Sequence, residues 1–366
     1  MRRRQRSARR CRPCAARLPA LAHAAAAGVR RPGYVPGGRP LGRRQSRARC
    51  GQGGRFPGDH GADRPARQRA GARPAGIPGH WRHAQAGVVA VRGPLLTARV
   101  HERLLVARRR REQVLACSLD LGRSETQVEL GANEWRWREG AYPYLERCRE
   151  RTIYHWTGAA FEPVARFGTS LLKLVPTDWG PPTFEIDGVK MLPTRQVSPY
   201  EDARRKVALI EPAGKRVLDT CAGLGYFAAW CLEGGARQVT SCEINPDVLW
   251  LRTLNPWSPV NGPGLNAIAG DVSAAIRGLA DASFDAILHD PPRFGLAGEL
   301  YSQAFYHELA RVLRPGGRLF HYTGTPNRLT SGRDVPHEVA RRLRFAGFTT
   351  RLEGDGVLAV RGRSCG

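Results

Sequence analysis

From Ser198 onward the apolar positions fall into short continuous runs separated by longer stretches of helical period. Runs near 215–219, 237–242, 265–269, 284–288 and 317–322 are five or six residues long, the length of strands covered on both faces. Between them apolar residues recur three and four apart, most clearly over Gly298–Leu313 and Pro336–Phe345. The chain closes with TTRLEGDGVLAVRG, two strand-like segments joined at Gly354-Asp355-Gly356. Strands and helices in alternation, ending in an antiparallel hairpin, predict an α/β fold: a mostly parallel sheet with helices on both faces. A helix start stands ahead of the first strand. Ser198 is a candidate N-cap, Pro199 suits the first helical position, and Glu201 completes a capping box, with the helix running through Lys206 to about Ile210.

The texture differs over 113–195. Segments such as TQVELG, EWRWR, TIYHW and FEIDGVKML are rich in β-branched and aromatic residues, with Thr157-Gly158 and Asp187-Gly188 as turns. They predict a small, mostly β domain with one short helix at Tyr142–Arg151. Trp135, Trp137, Trp156 and Trp179 either line a substrate surface or pair across strands; the second is the more ordinary use of such residues. Residues 1–112 are dominated by Arg, Ala, Gly and Pro and show no sustained period until about Val88. A segment of that kind buries too little apolar surface to offset chain entropy, so disorder is expected there.

Charge separates the same parts. The formal net charge is +26, but residues 1–112 hold 28 Arg, no Lys and four acids, while 113–366 are close to neutral at +2. Basicity therefore says little about the globular part. Two readings of 1–112 are open. One is an over-extended gene start, the native start being a Val or Leu codon near Val106 or Val114, since the only other Met is Met191. The other is a basic RNA-binding arm. The nine cysteines are scattered, and Cys11/Cys14 has no second pair at zinc spacing, so no disulfide and no metal are expected. No run of about 18 apolar residues occurs, which argues against a membrane span. MRRRQRSARR followed by LPALAHAAAAG is only loosely like a targeting segment, because Arg17 and His23 interrupt it, and the expected compartment is the cytoplasm.

Candidate chemistry sits at the predicted strand ends. RVLDTCAGLGY reads as strand, tight turn and helix: Asp219 ends the strand, and Gly223 and Gly225 permit positive φ and leave no Cβ between backbone and ligand. The unpaired N–H groups opening the next helix face the same space. Glu243 ends the second strand, 20 residues beyond Gly223, the distance at which an acid reaches ribose hydroxyls. Asp271 follows the third, where a carboxylate can accept from an adenine amino group. The bland alternative for each is a helix cap. The fourth strand ends in Asp290-Pro291-Pro292-Arg293-Phe294, a rigid elbow whose outward carbonyls, with Asp290, can hold an amino group. A capping loop is the alternative there.

VLDTCAGLGY, SCEIN, AGDV, HDPPRF and RPGGRLFHYTG, in that order, resemble a class I S-adenosylmethionine-dependent methyltransferase over about 196–366. SPYEDARRKV, LNPWS and HDPPRFGLAGELYSQAFYHEL are similar to a prokaryotic group of that family with a DPPRF signature. The resemblance implies a Rossmann-like sheet and S-adenosyl-L-methionine as cofactor. It places Asp219, Ala222, Gly223 and Gly225 around the methionine part, Glu243 at the ribose and Asp271 at the adenine. Asp290, Pro291, Pro292 and Phe294 become the catalytic elbow, and Tyr322 a further wall. Amino-group methyltransferases with an Asp-Pro-Pro-aromatic motif carry the aromatic directly after the second proline, whereas here Arg293 intervenes. FDAILHD and GELYSQAFYHELARVLRPGG also look like the aminopropyltransferases, relatives of spermidine synthase that use the decarboxylated cofactor; Asp290 falls on their acceptor-binding aspartate, and Arg293 replaces a second one. Three functions remain open: methyl transfer to a nitrogen or oxygen of an RNA or small metabolite, aminopropyl transfer, and non-catalytic nucleic-acid binding. The sequence is silent on oligomeric state and on the role of 113–195.

Overall fold

The computed structural model of the chain describes residues 82–83, 93–324 and 334–363, all within one compact unit, Gly71–Gly366. The disorder expected of the Arg-rich start, up to residue 92, and the Cys11/Cys14 pair lie outside these described residues, apart from the two-residue strand Arg82–His83.

The main sheet contains β1 (Arg216–Asp219), β2 (Gln238–Glu243), β3 (Leu265–Ala269), β4 (Phe284–His289), β5 (Leu313–Tyr322), β6 (Phe348–Glu353) and β7 (Gly356–Arg361). Their spatial order is 3-2-1-4-5-7-6, with Arg82–His83 pairing antiparallel at the β3 edge. β1 to β5 run parallel, and β7 is inserted antiparallel between β5 and β6. The order reverses between β1 and β4, and ligands of such sheets bind beyond the strand ends at that reversal.

Strand periodicity divides the core in two. Leu218, Cys242, Ile268, Ile287, Leu319 and Val357 face α4 (Gln303–Val312) and α5 (Val335–Phe345). Their neighbours Val217, Val239, Leu288, Phe320 and Leu358 face α1 (Pro199–Ala208), α2 (Tyr226–Glu233) and α3 (Pro246–Thr253). Helices thus cover both faces, as the sequence pattern predicts.

Residues 95–190 add three small antiparallel sheets. Their own core gathers Leu96, Leu104, Val128, Trp135, Tyr142 and Phe161, and further residues, among them Leu95, Leu172 and Phe184, join the α1–α3 face of the main sheet. Trp135 is buried and stacks on Tyr142 at 4.7 Å, so it is a core residue, and Trp156, partly buried, packs edge-on to that tyrosine at 5.3 Å. Trp179 remains half exposed.

Four details differ from the sequence reading. Residues within the segment expected to be disordered form a strand, Leu95–Leu96, and a helix, Ala98–Arg109, capped by Thr97. Its buried positions His101, Leu104 and Ala107 recur at helical spacing inside an Arg-rich composition that masks them. Starts near Val106 or Val114 would cut this helix or remove it. Tyr142 lies in strand Gly140–Pro143, with no helix following to Arg151, because its ring is needed against Trp135. Glu201 does not close a capping box; Ser198 Oγ accepts from Tyr200 N–H, while Glu201 turns to Arg204 at 2.7 Å. Finally, Gly298–Leu313 is broken at Ser302, whose extended backbone separates a single 3₁₀ turn from α4 and recaps it through Phe305 N–H.

Candidate functional site

The β1–α2 turn is shaped by its glycines. Gly225 opens α2 at φ +79°, and a Cβ there would lie 2.6 Å from Arg252 Nη2 and 3.0 Å from Pro259 Cδ. A Cβ there would force Arg252 to shift, and φ +79° strains any residue but glycine. At Gly223, φ +50°, the space is open except for the Phe184 ring at 3.6 Å, so conformation alone sets the requirement. Ala222 N–H donates to the Cys242 carbonyl at 2.8 Å and fastens the turn to β2.

Asp219 is fully buried beneath this turn. Ser241 Oγ donates to its Oδ2 at 2.9 Å, and Oδ1 has no partner. Burial pushes the carboxyl up to about 7, against the opposing pull of Ser241 and Arg252. Glu243 bridges two loops: Oε2 accepts from Gly223 N–H and Oε1 from Asn245 N–H, both at 2.9 Å. Burial raises its pKa while those two N–H groups lower it. Asp271 is exposed and caps the short helix Val272–Ala275 through Ser273 N–H, the capping role weighed against adenine binding; Gly270 N–H, donating to the Glu243 carbonyl, brings it beside Glu243. A buried carboxylate oxygen without a donor, beside a positive-φ turn and a second carboxylate, suits a ligand with an ammonium and hydroxyls. S-adenosylmethionine has both.

Across the reversal point, Asp290 follows β4. Its side chain is 21% exposed, with Lys206 Nζ 4.0 Å from Oδ2. Burial raises its pKa to about 6, Lys206 opposing and Asp202 adding to the rise. Lys206, on α1, pairs with Asp202 at 2.7 Å and stands 3.7 Å from the centre of the Tyr322 ring. Pro291 is buried and Pro292 exposed. The elbow's carbonyls are not all free, since Pro292 accepts from Tyr301 OH at 3.1 Å. Phe294, 43% exposed, meets the edge of Tyr301 at 5.5 Å and lines a cavity of about 1210 Å³ with α5. None of Asp219, Glu243 and Asp290 lines that cavity. The structure thus gathers Asp219, Gly223, Gly225, Glu243 and Asp290 at one sheet edge and leaves Phe294 to another surface.

Behind the edge lie two histidines that sequence reasoning missed. His289 Nδ1 is 2.7 Å from Thr220 Oγ1 and its Nε2 is 3.1 Å from the Leu300 carbonyl. A neutral ring with the proton on Nε2 satisfies both contacts. His321 meets Tyr306 OH at 3.0 Å and the Tyr322 carbonyl at 2.9 Å, and burial holds it down at about 4. These rings, 4.4 Å apart, support the ends of β4 and β5 as neutral groups. Lys206, Asp202 and Phe184 were also missed; the four-residue Asp202–Lys206 spacing was a visible signal, but not which face of α1 it occupies. Among the described residues no cluster of three His, Cys, Asp or Glu could hold a metal, no helix is long and apolar enough to cross a membrane, and five cysteines are free thiols.

Strand order 3-2-1-4-5-7-6 with an antiparallel β7, and acids at the ends of β1, β2 and β4 around a glycine turn, define a class I S-adenosylmethionine-dependent methyltransferase fold. A family model described as "Methyltransferase domain" matches residues 218–321. The chain is 47% identical over 196 residues to "Uncharacterized protein MJ1233" of Methanocaldococcus jannaschii, covering 52% of this chain and 67% of that protein, and it belongs to the same family. It is 31% identical to the polyamine aminopropyltransferase of Mycobacterium tuberculosis, over 38% of this chain and 28% of that one. It is also 31% identical to ribosomal RNA large subunit methyltransferase I of Photobacterium profundum, over 38% and 39% respectively.

Proposed function

We propose that the chain is an S-adenosylmethionine-dependent methyltransferase acting on a nitrogen or oxygen nucleophile of an RNA or a small metabolite. The observation that carries this reading is the pairing, on adjacent strands, of an ammonium-ready Asp219 under the glycine turn with a raised-pKa Asp290 across the reversal point. When bound, the cofactor supplies an electrophilic methyl group on a sulfonium. Asp219 Oδ1 would accept from its ammonium, Glu243 from its ribose and Asp271 from its adenine. Asp290 would orient the acceptor and take its proton, and Pro291 and Pro292 would fix the position of that carboxylate. The free thiols suit a cytoplasmic protein.

Aminopropyl transfer is the second reading, favoured by the 31% identity to a polyamine aminopropyltransferase. Against it, a polycationic acceptor at Asp290 would approach Lys206, already 4.0 Å away, and Arg293 would lie nearby in sequence. Two like charges at contact repel by about 1 kcal/mol or more. Thermal shift of the full chain separates the readings. S-adenosylhomocysteine is expected to raise Tm more than decarboxylated S-adenosylmethionine; the reverse order favours aminopropyl transfer. Indifference to both leaves a non-catalytic role. Asp219→Ala should weaken cofactor binding at least about tenfold, while Asp290→Ala keeps it and abolishes labelled-methyl incorporation into a cell extract.

A further inference from the structure

Lys206 is 8% exposed at its side chain, yet it is a cation at the site edge. Its Nζ stands 2.7 Å from Asp202 Oδ2, 4.0 Å from Asp290 Oδ2, 3.7 Å from the centre of the Tyr322 ring and 5.9 Å from that of Phe227. Two carboxylates and an aromatic face around one ammonium form the chemistry of an amine-binding cage. The ring comes from the end of β5, one carboxylate from the end of β4 and the other from α1, so three separate elements converge on the cation. The remaining charges of α1 behave differently: Glu201, Arg204 and Arg205 pair with one another in solvent.

We infer that Lys206 occupies a cation site built into the acceptor side, so that the chain's own ammonium stands where an amine substrate would bind and the acceptor is a neutral or anionic group. The inference rests on the methyl-transfer reading only in naming this edge the acceptor side. Lys206 is a specificity-determining residue here. Its ammonium holds Asp202 and Asp290 and keeps a second cation out. A lysine that merely braced α1 would, when removed, cost stability and create no binding site. A lysine that fills a cage leaves a functional vacancy of the right charge and length.

The test titrates n-butylammonium and putrescine into the full chain and into Lys206→Ala, following Tm and calorimetric binding. Lys206→Ala is expected to bind n-butylammonium at least about tenfold more tightly than the parent chain. Adding Asp290→Asn should remove that gain, and Lys206→Met, whose stem fills the space, should not show it. Equal binding by the parent chain and Lys206→Ala overturns the inference. So does putrescine binding to the parent chain with Kd below about 1 mM, a measurement that needs no variant to fold. The S-adenosylhomocysteine shift is recorded alongside. If it is absent while the amine gain is present, the methyl-transfer reading fails and the cation site stands.

Discussion

A buried acid with one unpartnered oxygen makes Asp219 a pH-sensitive residue of the cofactor side. Its folded-state pKa is raised from 3.8 to about 7, so the free folded chain holds that proton more tightly than the unfolded chain does. The stability it contributes is full below about pH 4 and is lost as pH rises through 7. Asp290, raised to about 6, acts in the same direction. An ammonium ligand needs the ionised form, which gives the opposite trend for binding. Affinity for S-adenosylhomocysteine is expected to increase between pH 6 and about 7.5, with proton release on binding at pH 6. Calorimetry in buffers of different ionisation enthalpy checks this, and a flat profile with no proton release would remove Asp219 from the ammonium contact. Gly225 allows a sharper test. An alanine there must adopt φ +79° and place a methyl 2.6 Å from Arg252 Nη2, so Gly225→Ala should cost about 2 kcal/mol or more in denaturant unfolding.

Elements were legible where a single signal decided them. The five buried runs, the Ser198–Pro199 start and the terminal hairpin all correspond to observed structure, because short apolar strands and a proline at the first helical turn have few alternatives. Ser198→Ala is expected to lower stability by about 1 kcal/mol, since it removes the acceptor of Tyr200 N–H. Glu201→Ala should cost less, its partners being exposed arginines. An equal loss in both would mean that a box forms in solution. What could not be read was tertiary. Ser302 breaks a continuous helical pattern, and the pattern contains nothing that forbids continuation. Phe294 lies one position past where an aromatic was expected and packs on Tyr301 instead. Lys206 reaches Asp290 only because α1 packs on the face of the sheet that carries Leu288, which brings its Nζ within 4.0 Å of the residue after β4, a relation that no local spacing encodes.

At the scale of the whole molecule, the region before Ser198 is part of the same core. Phe184 shares a buried cluster with Leu224 and Tyr226 of the glycine turn, and the Pro182 carbonyl accepts from Tyr226 OH at 2.8 Å. A fragment 93–366 is expected to unfold cooperatively with Tm within about 5 °C of the full chain. A fragment 113–366 loses Leu95, Leu96, Leu104 and Ala107, all buried, and should melt at least about 10 °C lower or fail to fold; equal Tm values would show that helix Ala98–Arg109 is dispensable. The Glu243 bridge has a consequence for how quickly a ligand is captured. Because one carboxylate already clamps the Gly223 and Asn245 amides, the seat is assembled before anything arrives. Hydrogen exchange at those two amides should be slow in the ligand-free protein, and little conformational entropy remains to be lost on docking. Discrimination among adenosyl ligands would then be expressed in how long each one stays.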